Sequence, residues 1–185
     1  MRFSPRAKLL ALFALFAAPI VASLLAYHFY RPEATTNYGE LLAPAPVTTQ
    51  PFGREGGGTF RFESLRGQWV LVASDSGACP EACTAKLATM RQVRLALGRN
   101  AGRVARVFVV DDLKRPEAAF LAEYPGMEVA ITPTGMVLPP QPANDRAHIY
   151  LIDPRGNVMM RFPSNTDGKR FLRDLNRLLK ASQIG

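Results

Sequence analysis

The sequence is poor in the residues that metal and redox chemistry use. It holds two cysteines, one tryptophan and two histidines in 185 residues. So few thiol and imidazole groups argue against a structural zinc site, which takes four such ligands. Internal repeats are absent. Gly56-Gly57-Gly58 is not followed by Gly-Lys-Ser/Thr, so this run reads as turn glycine and not as a phosphate loop. Acids are also short, with 15 Asp and Glu against 23 Lys and Arg, a formal net charge of +8. The bases are scattered, as in Arg99, Arg103 and Arg106, or Lys169, Arg170, Arg173, Arg177 and Lys180. No aromatic-basic stripe accompanies them, which argues against nucleic acid as a partner. The excess reads as a solvated basic surface; the alternative is docking to an acidic protein or anionic lipid.

Charge is missing altogether from residues 9–30, LLALFALFAAPIVASLLAYHFY. That is the length a transmembrane helix needs. Arg2, Arg6 and Lys8 precede it without an acid, Arg31 closes it, and Tyr27 and Tyr30 sit where an interfacial belt would. The reading is a single-pass anchor: residues 1–8 cytoplasmic, 9–30 spanning, and the rest outside. The alternative is a cleaved secretory signal, with Val21-Ala22-Ser23 as its weak cleavage candidate. Both export the domain and permit disulfide chemistry. The short leader lacks the look of a transit peptide, so the expected location is a bacterial inner membrane, with the C-terminal domain in the periplasm.

Residues 31–51 hold four prolines and small polar residues and read as a stalk. Residues 52–62 read as a hairpin around the glycine run. Residues 68–74 (QWVLVAS) and 104–110 are apolar runs typical of strands buried on both faces. Between them, Leu87, Met90, Val93 and Leu97 recur at helical spacing. Residues 116–124 read as a helix, and 127–144 as mostly irregular with a short strand at 128–131. Strands at 147–152 and 158–162 flank the turn Asp153-Pro154-Arg155-Gly156-Asn157. Residues 167–181 form an amphipathic helix. This order predicts an α/β fold, a thioredoxin-like mixed sheet flanked by helices, over residues 52–185.

The two cysteines stand in Cys79-Pro80-Glu81-Ala82-Cys83, after a strand and at the opening of a helix. Thiols at i and i+4 of a helix share a face. They can close a disulfide, hold a thiophilic metal or exchange thiols with a partner. Cys79 reads as the N-cap, with Pro80 at the first helical position and Cys83 more buried. Backbone N–H groups there favour a thiolate, and Glu81 opposes it. Ser76-Gly77-Ala78 lacks the approach of a peroxiredoxin. A thioredoxin-type reductase would show Cys-x-x-Cys and a cis-proline where Arg146-Ala147 stands.

Residues 59–83 (TFRFESLRGQWVLVASDSGACPEAC) resemble the Sco/SenC family, membrane-anchored thioredoxin-fold proteins that serve copper delivery to cytochrome c oxidase. Residues 107–124 are similar to that family's strand-Asp-Pro-helix segment, and Tyr150-Leu151-Ile152-Asp153-Pro154-Arg155-Gly156 to its hairpin. Residues 37–41 and 159–163 resemble short Sco-like proteins of proteobacterial oxidase gene regions. The resemblance implies a cytochrome c oxidase subunit, or another copper or thiol acceptor, as partner. It also implies copper as cofactor and Cys79 and Cys83 as its ligands. The family's third ligand, a histidine five residues before the tyrosine, corresponds here to Asp145. His148 is the histidine available, and a three-residue offset in a strand turns a side chain to the other face. His148 therefore joins the copper set only through a bulge or shift. Two soft thiolates and one imidazole suit copper, and two thiolates alone still hold Cu(I). Met159 and Met160 are further soft candidates, with core packing as their ordinary role. Asp111 and Asp112, ending a strand, read as helix caps or edge residues. The rival functions are general thiol-disulfide oxidoreductase and an assembly scaffold with a structural disulfide.

Overall fold

The structure is a computed structural model that describes residues 4–29, 37–133, 145–182 and 184. It divides into two compact units, residues 1–36 and 37–185. Among the described residues the first holds one helix, α1 (Pro5–Phe29), with Pro19 inside it and no buried residue. Its mean hydropathy reaches 2.5, and it is long and apolar enough to cross a membrane. Tyr30 and Arg31, expected to close the span, lie outside the described residues.

The second unit is built on a sheet of eight strands in the order β1-β8-β7-β4-β5-β6-β2-β3. These are β1 (Glu40–Pro46), β2 (Phe52–Arg54), β3 (Thr59–Phe60), β4 (Trp69–Asp75), β5 (Val104–Val110), β6 (Met127–Ile131), β7 (His148–Ile152) and β8 (Asn157–Pro163). The helices are α2 (Glu81–Ala96), α3 (Ala118–Ala122) and α4 (Gly168–Ala181). Strands β4, β5 and β6 run parallel, and β7 returns antiparallel beside β4. All seven residues of β4 are buried, as its unbroken apolar run requires.

Side chains alternate across the central strands and define two cores. Leu71, Ala73, Ile149 and Leu151 face the helical side, where α2 brings Cys83, Leu87, Met90 and Val93, and α4 brings Phe171, Leu175 and Leu179. Val70, Val72, Tyr150 and Ile152 face the opposite side. Among the described residues no α-helix contributes to that second core. Phe52 and Phe60 of the hairpin and Phe62 close it, with ring pairs at 5.2 and 5.7 Å.

Two expectations shift. Residues 40–46, read as stalk, form β1, whose Glu40 carboxylate takes Arg161 at 2.8 and 2.9 Å. Pro44 and Pro46 are tolerated because β1 is an edge strand. The strand expected at 128–131 is β6, Met127–Ile131; residues 134–144 lie outside the described residues. The last helix begins as its sequence implies, with Asp167 capping the Lys169 and Arg170 amides.

A buried carboxylate ties this helix to the first strand. Asp174 is 2 % exposed and accepts the Tyr38 and Gly39 N–H groups at 2.7 and 2.9 Å. A Cβ at Gly39 would press on the Phe162 ring and the Met160 sulfur, so glycine is needed for that approach. Asp174→Ala leaves two N–H groups without an acceptor. It is expected to cost about 2 kcal/mol of unfolding free energy, read from urea denaturation.

Candidate functional site

The chain leaves β4 at Asp75 and turns through five residues before α2. The turn is held by its own polar groups. Ser76 N–H donates to Asp75 Oδ1 at 2.9 Å, Ala78 N–H to Ser76 Oγ at 3.2 Å, and Cys79 N–H to the Ser76 carbonyl at 2.9 Å. Cys79 has φ +36°, the one positive value at a non-glycine residue among the described residues. Such a backbone costs roughly 1–3 kcal/mol and is kept where neighbouring structure enforces it.

Pro80, not Cys79, is the N-cap of α2, and Glu81 is its first residue. The expected cap position thus moves by one. Cys79 lies just outside the helix because its left-handed backbone cannot start one, and no side chain caps the first turn. Cys79 and Cys83 are joined in a disulfide with Cα atoms 5.1 Å apart. Cys83 is fully buried, whereas Cys79 keeps 9 % of its surface. Thr84 Oγ1 lies 3.3 Å from the Cys79 carbonyl and 3.9 Å from its sulfur.

Behind the disulfide is a charge cluster that sequence reading missed. Lys86, one turn beyond Cys83, is fully buried. Its ammonium donates to the Ser74 carbonyl at 2.8 Å, Asp75 Oδ2 at 3.0 Å and the Arg146 carbonyl at 2.8 Å. Arg146 in turn pairs with Asp111, Nε to Oδ2 at 3.0 Å, and stands 3.9 Å from both Asp75 and Asp112. The hydrogen bond and charge of Asp111 push the Arg146 pKa further up. Asp111 and Asp112 are therefore not helix caps; α3 is capped at Glu117. Asp112 instead accepts the Gly77 and Lys114 amides, each at 3.0 Å. Burial would raise its pKa, but hydrogen bonds from Ser76, Gly77 and Lys114 and the charge of Arg146 hold it below the usual value. One signal for Lys86 was legible: a lysine beside Leu87 on the buried side of α2 interrupts an apolar face.

His148 is placed elsewhere. It opens β7, where Ile149 and Leu151 face the cysteines' core and Tyr150 and Ile152 face the other. With period 2, His148 belongs to the Tyr150 side. Its Nδ1 lies 2.6 Å from Asp145 Oδ2, which also accepts the Tyr150 hydroxyl at 2.6 Å. Asp145 precedes the strand and serves as the anchor of these two rings. Burial opposes its ionisation, yet hydrogen bonds from Tyr150, the Ala147 amide and His148 hold its pKa below the usual value. Burial and the Asp145 carboxylate push the Tyr150 phenol up to about 12. Met160 is a core residue at 1 % exposure, and Met159 is the extra residue of a bulge in β8.

The cysteines are thus brought together, and the histidine is not brought to them. Among the described residues no cluster of three or more His, Cys, Asp and Glu side chains forms a metal cage. The donor set on the cysteine side is two sulfurs, which become metal ligands only after reduction. A two-sulfur, one-imidazole copper centre does not fit this arrangement.

The family described as "transmembrane-like, thioredoxin-like, C-terminal domain" matches residues 69–182. The chain belongs to this family. No curated protein matches the sequence. Among solved structures, a SCO1/SenC family lipoprotein from Bacillus anthracis str. Ames is 22 % identical with TM-score 0.58, over 76 % of this chain and 99 % of that one. Arabidopsis thaliana ScoI, solved with copper bound, is 17 % identical with TM-score 0.59, over 76 % and 100 %. BsSco, described by its disulfide switch and as a member of the Sco family of cytochrome c oxidase assembly proteins, is 18 % identical with TM-score 0.55, over 76 % and 98 %. With the family match, these likenesses establish a thioredoxin-like fold.

Two predictions follow from the charged groups. Lys86→Met leaves the buried Asp75 carboxylate without its nearer, hydrogen-bonded cation, at an expected cost of about 3 kcal/mol. Adding Asp75→Leu should recover much of it in the same urea titration. Tyr150 has a raised folded-state pKa, so its contribution is complete below pH 10 and lost as pH rises toward about 12. Tyr150→Phe should flatten the fall in thermal stability across that window.

Proposed function

We propose that this protein is a membrane-tethered, extracytoplasmic dithiol protein that assists cytochrome c oxidase assembly by reducing the cysteines of an acceptor. The observation that carries the reading is the Cys79–Cys83 pair itself. Cys79 keeps 9 % of its surface in a strained turn, and Cys83 is fully buried behind it on α2. That asymmetry suits thiol exchange, which needs one attackable sulfur and one resolving sulfur. The fold shared with BsSco, a member of an oxidase-assembly family described by a disulfide switch, supports the same reading. The apolar α1 and the basic flank at Arg6 and Lys8 support a single-pass anchor in a bacterial inner membrane, with its N-terminus in the cytoplasm.

In the reduced protein, the Cys79 thiolate attacks one sulfur of an acceptor disulfide. A mixed disulfide forms and the other acceptor sulfur leaves as thiolate. The Cys83 thiolate then attacks Cys79 Sγ, closing the disulfide seen here and releasing the acceptor dithiol. Two electrons pass to the acceptor, and a dithiol donor restores the pair. Copper is a second cargo for the same reduced pair, since Arabidopsis ScoI is solved with copper. Here two soft thiolates would hold Cu(I) without His148.

The test uses the reduced full-length chain in detergent, without oxygen. Cys79 is expected to alkylate before Cys83. Cu(I), titrated against a competing chelator, should lose high-affinity binding in the Cys79→Ser/Cys83→Ser protein and keep it within about twofold in His148→Ala. A tenfold loss in His148→Ala would overturn the two-sulfur set. A reduced protein that neither binds Cu(I) nor reduces a peptide disulfide has a purely structural disulfide, and the proposal falls.

A further inference from the structure

The turn that carries Cys79 does not stand alone; the loop after β5 lies against it. Gly77 is the point of closest approach, where a Cβ would collide with the Lys114 carbonyl. The Asp112 carboxylate locks the two loops by taking an amide from each, Gly77 and Lys114. Next to this seam is a groove of about 520 Å³ lined by Gly77, Ala78, Lys114, Arg115, Glu117 and Phe120. Ala78, which lines the groove, directly precedes Cys79, the less buried of the two cysteines. Leu113, on the same loop, is 78 % exposed.

The charges around the groove are unevenly committed. Asp111 is paired with Arg146, and Asp112 is spent on the two amides. The Lys114 and Arg115 side chains are exposed, and neither makes an ion pair among the described residues. Glu117 stands at the α3 end, next to the half-buried Phe120 ring. The groove therefore offers two cations outside any ion pair among the described residues, one aromatic ring and one acid.

We propose that this groove is the acceptor docking site. Its occupant is an extended protein segment with carboxylate side chains beside its reactive cysteine and an apolar side chain for the Phe120 ring. The inference rests on the reading of Cys79 as the exchanging thiol and adds the recognition that reading lacks. A segment lying in the groove meets Lys114 and Arg115 while its cysteine reaches the turn at Ala78 and Cys79. The cations raise the encounter rate of an acidic segment and disfavour a basic one. They also leave a salt-dependent signature, because exposed charges are screened by electrolyte.

The experiment uses the full-length protein in detergent, reduced by a dithiol and freed of it. Two extended peptides each carry one cysteine in a mixed disulfide with a chromogenic aryl thiol. They differ only in having two Asp or two Asn beside that cysteine. Attack by the Cys79 thiolate on the peptide sulfur releases the aryl thiolate, which is read by absorbance. Cys83 then attacks Cys79 Sγ and releases the peptide thiolate. The Asp peptide is expected to react about fivefold faster, or more, at low salt. That preference should vanish in about 0.5 M sodium chloride and in Lys114→Gln/Arg115→Gln. Equal rates for the two peptides, or a preference that survives the double substitution, overturn the docking site. A faster reaction with a third peptide bearing two Lys assigns recognition to Glu117 and overturns it as well. No aryl thiolate release from any peptide instead sinks the thiol-exchange reading, and the docking site with it.

Discussion

One buried ammonium holds the working end of this molecule together. Lys86 Nζ is shut off from water and gives its three hydrogens to the Ser74 carbonyl, the Asp75 carboxylate and the Arg146 carbonyl. Those acceptors belong to the end of β4 and the loop before β7, while the donor belongs to α2. Arg146 carries the linkage on to Asp111 at the end of β5. An ion pair this deep is weak evidence for stability, because desolvation offsets the attraction. Its value here is positional: every hydrogen of the ammonium has an acceptor, so the three elements meet in one way only. The turn with Cys79 and the first turn of α2 with Cys83 are fastened above that point.

The second constraint is the period of a β-strand. Ile149 and Leu151 are committed to the core beneath α2 and α4, so their neighbours on β7 must face the other way. His148 is thereby turned from the cysteines and settles with Tyr150 on Asp145. Moving the imidazole across would take a slip of one residue, and that would carry Ile149 and Leu151 out of the core. The cost of exposing two such side chains is about 3 kcal/mol or more. The same alternation that builds the sheet therefore leaves the cysteines as a sulfur-only pair.

The sheet face away from α2 and α4 is closed by other means. Phe52, Phe60 and Phe62 stack on it edge to face, and Leu42 of β1 and Val47 after it add apolar cover. The charged rim at Glu40 and Arg161 then finishes an edge that prolines make a poor template for further strands. These features leave the opposite end, at the β4 and β5 termini, free to present the disulfide and the groove beside it.

Much of this was legible in the sequence. Uninterrupted apolar runs named β4 and β5, the 3.6-residue spacing named α2 and α4, and residues Asp153 to Asn157 named the β7–β8 turn. The uncharged run of residues 9–30 marked α1, and the Cys79–Cys83 spacing marked the pair. These are local properties, in which each residue's neighbours along the chain suffice to set the geometry. β1 was hidden because two prolines mask an edge strand whose partner, β8, is more than a hundred residues away. Lys86, Asp75 and Arg146 gave little sign of joining, since ion pairing depends on which elements pack together. The face taken by His148, the loop contact at Gly77 and the left-handed turn at Cys79 likewise follow from how distant segments meet. The sequence by itself determined the fold class, the anchor-like helix and the two sulfurs. Only the tertiary structure decided that the histidine stands apart from them and that a buried lysine stands behind them, because side-chain facing is set by the packing of the whole sheet.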